Sequence, residues 1–287
     1  MSVLIAIPAR YASTRYPGKP LVFLRGPDGE KTLIRRSWEA AMSVKGADRV
    51  VVATDDDRIR THAESFGAEV VMTSSDAQNG TERCAEVAAK LPGFDVVVNL
   101  QGDAPLTPAW FVEDLVKGLL ADPAADIATP VLRCDGRGLN GLLADRRAGR
   151  VGGTTAVFGA GMRGLYFSKE VIPFTGKTYA DDEETPVFHH VGVYAYRPAA
   201  LAAYPSWPVG PLEKLEGLEQ LRFLENGRHV LCVEVQAKGR QFWELNNPSD
   251  VATIEAMMAE MGCKPGLPAS SSSVAIGRRR CGAASWA

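Results

Sequence analysis

The chain has 287 residues, and its 32 basic and 34 acidic side chains give a formal net charge of −2 at pH 7. This near balance argues against a protein that binds nucleic acid or a membrane surface through bulk positive charge. Hydrophobic residues form 46% and charged residues 23% of the chain, which is ordinary for a globular protein. No apolar run approaches the roughly 20 residues that span a bilayer.

The first residues and the cysteines indicate the cellular compartment. The opening stretch, MSVLIAIPARYAS, lacks the charged region that precedes the apolar part of a signal peptide, so it predicts a first strand. The five cysteines are scattered, odd in number and never spaced as CxxC, which argues against a disulfide framework or a zinc site. We therefore expect a cytoplasmic protein.

Short apolar runs alternate with helical patterns over the first hundred residues. The predicted strands are 3–7, 49–54, 69–72 and 95–100, and the predicted helices are 32–44, 57–66 and 80–90. Alternation with short connections predicts an α/β fold with a mainly parallel sheet. Ligands of such sheets bind beyond the carboxyl ends of the strands. The loops that we expect to form one cleft are therefore 8–20, 54–57, 73–81 and 101–105.

The pattern is less regular after about residue 133. Residues 134–153 are rich in glycine and arginine and predict a loop within a smaller excursion, 133–187, of one domain that spans 1–262. The tail, 263–287, is expected to be disordered. The remaining predicted strands are 154–158, 164–168, 190–197 and 229–235, and the remaining predicted helices are 211–227 and 248–261.

The loop after the first strand, PARYASTRYPGKPL (8–21), concentrates positive charge. It matches neither a Walker A sequence nor G-x-G-x-x-G. Arg10, Arg15 and Lys19 lie among small residues, which allow backbone N–H groups to approach phosphate oxygens. The pattern therefore predicts a polyphosphate site, and the alternative is a solvated basic surface loop.

Carboxylates follow two of the predicted strands. Asp103 ends the sequence Gln-Gly-Asp directly after an apolar run, where it is well placed to hold Mg²⁺ against phosphates. The alternative is that Asp103 caps the helix that starts near residue 108. The acidic run 55–57 predicts an N-cap and first-turn acids of a helix, and we assign it no catalysis.

Six segments, in order along the chain, resemble the 3-deoxy-manno-octulosonate cytidylyltransferase family, which makes CMP-Kdo. They are PARYASTRYPGKPL (8–21), DAQNGTERCAEV (76–87), VVNLQGD (97–103), LYFSKEVIPF (165–174), HVGVYAYR (190–197) and PLEKLEGLEQLR (211–222). The resemblance implies a nucleotide-diphospho-sugar-transferase-like α/β fold and a homodimer, with 133–187 helping to dimerise. It also implies that an acidic acceptor attacks the α-phosphorus of CTP and pyrophosphate leaves.

The resemblance also implies roles for individual residues. Arg10, Lys19 and Asp103 would be catalytic, and Asp103 with Asn246 would hold Mg²⁺. The nucleotide would contact Arg10, Ser13, Arg15, Lys19, Gln78, Gly80, Thr81 and Arg83. The acceptor would contact Gln101, His190, Tyr194, Glu213, Glu216 and Gln220. For His190 a place in the core is the alternative, and acids such as Glu213 are favoured in a first helical turn by the helix dipole alone.

The chain departs from the family pattern mainly on the acceptor and metal side. Ala104 stands where a glutamate is usual, and Asn246 stands where an aspartate is usual. Asparagine can bind Mg²⁺ through its carbonyl but brings no charge. An Asn-Ala-Val-Lys stretch becomes GGTT (152–155), Lys169 replaces an arginine, and His189 also stands where arginine is usual. Lysine lacks the planar fork with which arginine grips a carboxylate.

These departures lead us to expect a changed acceptor. A phosphonate such as phosphonoformate, used in natural-product (antibiotic) biosynthesis, would bring extra negative oxygens to the metal. The alternatives are Kdo as acceptor for lipopolysaccharide synthesis, and a non-catalytic CTP-binding protein. A glycosyltransferase on the same fold is less supported because QGDAP supplies a single acid, and an NAD-dependent oxidoreductase is poorly supported because the glycine fingerprint is missing.

Overall fold

The computed structural model describes residues 1–13, 15–151, 153–240 and 243–263. The strands are β1 (Val3–Ala9), β2 (Phe23–Gly26), β3 (Gly29–Thr32), β4 (Arg49–Thr54), β5 (Glu69–Met72), β6 (Val96–Leu100), β7 (Ile127–Asp135), β8 (Thr154–Phe158), β9 (Gly164–Ser168), β10 (Glu184–His190), β11 (Val193–Tyr196) and β12 (Val230–Glu234). The helices are α1 (Leu33–Met42), α2 (Asp57–Ser65), α3 (Gly80–Lys90), α4 (Ala109–Ala121), α5 (Gly136–Arg147), α6 (Pro198–Ala203), α7 (Pro211–Glu216), α8 (Leu221–Glu225) and α9 (Asp250–Cys263).

One ten-stranded sheet forms the centre of the molecule. Its order is β5-β4-β1-β6-β11-β7-β10-β8-β9, and β12 pairs with β7. The pairs β4–β5, β1–β4, β1–β6 and β7–β12 are parallel, whereas β11, β10, β8 and β9 join by antiparallel pairing. The predicted α/β fold is confirmed: the four strands predicted in the first hundred residues form one continuous parallel part, and β7 with β12 forms a further parallel pair.

The alternation of side chains along β1 divides the core between the two faces of the sheet. Val3, Ile5 and Ile7 pack in one hydrophobic cluster, and Leu4 and Ala6 pack in the other. Successive side chains of a strand point to opposite faces, so a continuous apolar run is needed where helices cover both faces. The buried position of β1 therefore follows from its sequence, and it places the end of β1 in the middle of the parallel strands.

The predicted loop at 134–153 is wrong, because most of it forms α5. The Asp135 side chain caps this helix by accepting a hydrogen bond from Gly138 N at 2.7 Å. Leu139 is buried against Cys134 and Val187. An N-cap and a buried anchor offset the cost of helical glycine, which is about 1 kcal/mol per residue. The segment 133–187 adds β8, β9 and β10 to the central sheet.

The single helix predicted at 211–227 is also wrong. Gly217 has a φ of 62° and ends α7, and α8 begins four residues later. A left-handed residue cannot continue an α-helix, and glycine adopts that conformation at little cost. Leu215 on α7 is 82% exposed, whereas Leu221 on α8 is buried, so the predicted apolar stripe is not continuous.

Two short strands and the chain end complete the fold. The β2–β3 hairpin, which the periodicity did not predict, forms its own two-stranded sheet. Cys263 ends α9, and the rest of the predicted tail lies outside the described residues. Over the described ranges, no helix combines the length and the apolarity that crossing a bilayer requires.

Candidate active site

Three of the four predicted loops meet at the carboxyl ends of β1 and β6. They surround a cavity of about 240 Å³ lined by Pro8, Ala9, Arg10, Ser13, Arg15, Lys19, Pro20, Ala77, Gln78, Asn79, Gly80, Arg83, Gln101, Gly102 and Asp103. Four cationic side chains and one carboxylate are among them. The fourth loop does not line the cavity, because Asp56 caps α2 by accepting from Arg58 N at 2.9 Å. Such a cavity suits a polyanion together with a cation.

The basic loop is organised around one carbonyl. Tyr11 O accepts hydrogen bonds from the backbone N–H groups of Ser13 and Gly18, both at 2.9 Å. Gly18 has a φ of 71° and starts a short 3₁₀ turn at Lys19. The Tyr11 ring lies under the Arg58 guanidinium, 3.3 Å from its centroid. These contacts order the loop, and its cationic side chains line the cavity.

The Gln101–Asp103 loop lies against the end of β1. A Cβ on Gly102 would come within 2.6 Å of Pro8 O, so only glycine permits this approach. Ser37 Oγ on α1 donates to Gly102 O at 2.9 Å and holds the loop from the other side. Asp103 is thereby fixed beside the basic loop.

Asp103 forms an ion pair across the cavity. Lys19 Nζ lies 2.6 Å from Asp103 Oδ2, and both side chains are mostly buried. The alternative role of Asp103 as a helix cap is wrong, because the N-cap of α4 is Pro108 and makes no side-chain cap hydrogen bond. The Asp103 carboxylate therefore lines the cavity, where the Lys19 ammonium lies next to it.

The N-terminus of α3 forms the opposite wall. Asn79 Oδ1 accepts from Glu82 N at 2.9 Å, and Glu82 Oε2 accepts from Gln78 N at 2.7 Å. This reciprocal capping follows the pattern of a capping box and orients the first turn of the helix. Gln78 and Gly80 line the cavity as predicted. Thr81 does not, because its hydroxyl bonds Tyr196 Oη at 2.7 Å inside the core.

Arg83 is a buried cation of the wall. Its side chain is 3% exposed, and it donates to Thr73 Oγ1 and, at 3.3 Å, to Ser74 O. Asp55 lies 3.6 Å away, and Asp55 Oδ1 has no hydrogen-bond partner among the described residues. Arg83 thus brings positive charge to the cavity from a fixed position.

A polar layer lies behind Gln101. Gln101 Nε2 donates to Glu219 Oε1 at 3.0 Å, and Glu219 Oε2 accepts from Thr81 N at 2.9 Å. Burial raises the pKa of Glu219, although the hydrogen bonds from Thr81 and Gln101 oppose the rise. Asn99 Oδ1 and Gln220 Nε2 are buried and lack partners among the described residues. Glu219 was not among the predicted site residues, although it lies in the sequence between Glu216 and Gln220, two predicted acceptor residues.

Glu244 is a second carboxylate near Asp103, and no local sequence pattern pointed to it. Neighbouring protein atoms partly desolvate its carboxyl group, although the residue as a whole is exposed. This desolvation raises its pKa, and the negative charge of Asp103 raises it further. Asn246, the predicted metal ligand, is hydrogen-bonded to Glu244 and to Arg15.

The comparisons with known proteins agree with this geometry. The sequence model of the family described as "Cytidylyltransferase" matches residues 4–230. A protein from Maricaulis maris (strain MCS10), named 3-deoxy-manno-octulosonate cytidylyltransferase, is 43% identical over 263 residues, which are 91% of this chain and 99% of that protein. The chain belongs to the cytidylyltransferase family. A protein from Zea mays, with the same name as the Maricaulis relative, is 38% identical over 253 residues, which are 88% of this chain and 79% of the Zea mays protein.

Solved structures extend the likeness to three dimensions. The structure of CMP:2-keto-3-deoxy-manno-octonic acid synthetase complexed with CTP matches this cytidylyltransferase with a TM-score of 0.76 and 33% identity, covering 91% of this chain and all of that one. A cytidylyltransferase from Leptospira borgpetersenii matches with a TM-score of 0.55 and 18% identity, which shows the fold alone. The resemblance stated from the sequence is confirmed, and the protein is a nucleotidyltransferase.

Three predicted acceptor residues of this cytidylyltransferase lie in the core beside the polar layer. His190 is 4% exposed, and its Nε2 and Nδ1 lie 2.9 and 3.1 Å from the hydroxyls of Thr129 and Thr154. Tyr194 Oη donates to Gln220 Oε1 at 3.0 Å. None of the three lines the cavity. The structure therefore gives His190 the core position that was its alternative, whereas Gln220 Nε2 has no hydrogen-bond partner within the part of the chain that the structure describes.

Glu213 and Glu216 are held by other side chains of the cytidylyltransferase. Both oxygens of Glu213 accept from the buried Arg222, at 2.6 and 2.7 Å. Glu216 accepts from Ser168 Oγ at 2.6 Å and from Lys169 N at 2.9 Å. Burial by itself raises the pKa of Glu216, but these hydrogen bonds lower it overall. Both carboxylates thus stabilise the fold through these contacts, and neither lines the cavity.

The burial of His190 predicts a measurable loss of stability in acid. Burial, with repulsion from His189, lowers the pKa of His190 to about 3, whereas the unfolded side chain titrates near pH 6.5. Stability from the neutral ring is complete above that pH and falls as the pH drops, by about 2 kcal/mol between pH 6.5 and pH 5. Urea unfolding at pH 7 and pH 5 should show this loss, and His190→Gln should reduce it. An unchanged pH dependence in the variant would contradict the assignment.

Proposed function

We propose that this cytidylyltransferase transfers CMP from CTP to 3-deoxy-manno-octulosonate (Kdo) and releases pyrophosphate. The single observation that carries the proposal is the cavity, in which four cationic side chains face Asp103 and Gln101 within the residues that the family model matches. The names of the relatives support the acceptor, because the proteins from Maricaulis maris and Zea mays are both 3-deoxy-manno-octulosonate cytidylyltransferases.

The reaction requires positioning and charge stabilisation more than side-chain nucleophiles. An acceptor hydroxyl oxygen forms a bond to the α-phosphorus of CTP, and the bond from that phosphorus to the bridging β-phosphate oxygen breaks. Pyrophosphate leaves with the electron pair, and the hydroxyl proton passes to solvent. Arg10, Arg15 and Lys19 offset the charge of the β- and γ-phosphates, and the fixed guanidinium of Arg83 adds to their field.

The donor set at Asp103 fits Mg²⁺. The Asp103 carboxylate is a hard oxygen donor of the kind that Mg²⁺ takes, whereas Oδ1 of Asn246, the other predicted ligand, accepts a hydrogen bond from Arg15. Over the described residues, no three His, Cys, Asp or Glu side chains come together as a metal cage. This matches an ion that keeps waters and phosphate oxygens as its other ligands. The Lys19 ammonium, 2.6 Å from Asp103, shows that a positive charge is stabilised at this carboxylate. When bound, Mg²⁺ would withdraw charge from the α-phosphate and acceptor oxygens.

The polar layer favours a hydroxyl-rich acceptor. Gln101 is the member of this layer that lines the cavity, and its amide can both donate and accept hydrogen bonds. Sugar hydroxyls can donate to and accept from such groups. A small phosphonate such as phosphonoformate has few hydroxyls to offer, and the two relatives described above are named 3-deoxy-manno-octulosonate cytidylyltransferases. The expectation of a phosphonate acceptor therefore finds no support, and Kdo replaces it.

We also infer a homodimer that uses the segment 133–187. The strand β9 lies at the edge of the sheet, and Leu165 on it is 62% exposed. Phe174, in the loop that follows, is 95% exposed. An apolar edge of this kind is normally covered. A molar mass from light scattering tests the inference, and a monomer at working concentrations would contradict it.

An acceptor panel tests the proposed function. Pyrophosphate release from CTP and Mg²⁺ is measured with Kdo, with phosphonoformate and with no acceptor, and mass spectrometry identifies the CMP conjugate. Among these acceptors we expect release only with Kdo, at a rate about a thousandfold lower in an Asp103→Asn control. Release with phosphonoformate and not with Kdo would make the protein a CMP-phosphonate synthase. Binding of CTP without release for any acceptor would instead support a non-catalytic CTP-binding protein.

A further inference from the structure

Asn246 stands where the resemblance implies a second acidic metal ligand, and its amide is already engaged. Asn246 Oδ1 accepts from Arg15 Nη2 at 2.8 Å, and Asn246 Nδ2 donates to Glu244 Oε2 at 3.4 Å. An amide between a guanidinium and a carboxylate has one satisfactory orientation, because its oxygen must accept and its nitrogen must donate. Asn246 Oδ1, the atom that would have bound a cation, therefore accepts a hydrogen bond from Arg15 instead.

The backbone holds Glu244 over the loop that carries Asp103. Leu245 N donates to Asp103 O at 2.9 Å, which ties the two segments together. The Leu245 side chain is fully buried among apolar residues. The Glu244 and Asn246 side chains lie on the same side of the segment, because they are hydrogen-bonded to each other.

Two further contacts fix the direction of this segment. Asp250 Oδ2, at the start of α9, accepts from the backbone N–H groups of Asn246 and Asn247 at 2.8 and 2.6 Å. A Cβ at Gly192 would lie 3.3 Å from Glu244 Oε1, so the carboxylate packs against the backbone there. The Glu244 carboxyl group is therefore placed by its surroundings and does not extend freely into solvent.

We propose that Glu244 supplies the second carboxylate of the divalent-cation site beside Asp103, and that Asn246 positions it. The inference rests on the proposed function, because the cation is the one that accompanies CTP. The negative charge that is missing at position 246 is replaced from position 244, two residues earlier on the same side of the segment. With phosphate oxygens, two carboxylates complete the kind of oxygen donor set that Mg²⁺ takes.

Binding of Mn²⁺ provides a readout that is independent of turnover. The full chain is titrated with Mn²⁺ in the presence of CTP and without acceptor, and bound ion is followed by electron paramagnetic resonance. Glu244→Gln is expected to weaken Mn²⁺ binding by at least about tenfold, since even groups behind the ligands contribute that much. Its affinity for CTP without metal should stay within about twofold, because the phosphate-binding cations are untouched. The matched control is Glu64→Gln, which removes the same charge from an exposed site on α2.

A second variant tests the exchange of charge between the two positions. Asn246→Asp is introduced into the Glu244→Gln background, where the new amide at position 244 can donate to the new carboxylate. We expect most of the lost Mn²⁺ affinity to return. If the double variant binds Mn²⁺ no better than Glu244→Gln, the proposal that Glu244 replaces an acidic ligand at position 246 is overturned.

The remaining outcomes are equally decisive. Mn²⁺ affinity that is unchanged in Glu244→Gln overturns the proposal, and so does an equal loss of Mn²⁺ and CTP affinity, since Glu244 would then only support the cavity. Wild-type protein that binds no CTP would instead overturn the proposed function, so the two failures are distinguishable.

Discussion

Replacing Asp103 by asparagine is expected to lower kcat for CMP transfer by about a thousandfold, or roughly 4 kcal/mol of transition-state stabilisation. The substitution keeps the size of the side chain and removes the charge that would hold the cation against the α-phosphate. Lys19 loses its partner at 2.6 Å and becomes free to contact phosphate. Affinity for CTP measured without metal should therefore stay the same or increase.

The measurement is kcat and KM with Kdo together with a CTP dissociation constant in the absence of metal. The matched control is Asp57→Asn, which removes a carboxylate from the first turn of α2, outside the cavity. That variant should keep kcat within about twofold, because its ion pair with Arg60 is largely solvent-exposed. An Asp103→Asn enzyme within tenfold of wild type would contradict the role of this carboxylate.

Several strands, and the loops that follow the parallel ones, were predictable because local sequence determines them. The strands predicted at 49–54, 69–72, 154–158 and 164–168 have the observed bounds. Strand ends of a parallel sheet gather at one edge, so Lys19 and Asp103 could be expected in one cleft before their ion pair was known. The capping pair Asn79 and Glu82 likewise agrees with the helix start predicted at residue 80.

The predictions were wrong or incomplete where backbone conformation, or contacts with residues distant in sequence, determine the structure. Leucine spacing predicted one helix through Gly217, but its positive φ ends α7. Thr81 matched a nucleotide-binding segment, yet its hydroxyl turns inward to Tyr196, 115 residues away in sequence. Glu219 and Glu244 carried no local signal, because their importance comes from Gln101 and Asp103, which other strands and loops bring near.

Replacing Arg222 by methionine is expected to lower the free energy of unfolding by about 3–5 kcal/mol. The Arg222 side chain is 2% exposed and donates to both oxygens of Glu213 and, at 2.9 Å, to Glu82. Burial by itself lowers the pKa of Arg222, but these carboxylates raise it overall, so the group stays charged. Methionine fills similar space and leaves the buried carboxylate of Glu213 without its cation.

The loss should extend to the active site, because Glu82 also accepts from Gln78 N at the cavity wall. We therefore expect a higher KM for CTP along with the lower stability measured by urea unfolding. Adding Glu213→Gln to Arg222→Met should restore part of the stability, since an unpaired buried charge is the main cost. The matched control is Arg228→Met, whose pair with Asp126 is partly exposed and spans 3.9 Å, so it should cost less than about 1 kcal/mol. If Arg222→Met lowered the free energy of unfolding no more than Arg228→Met does, apolar packing would stabilise the protein as well as the buried ion pair.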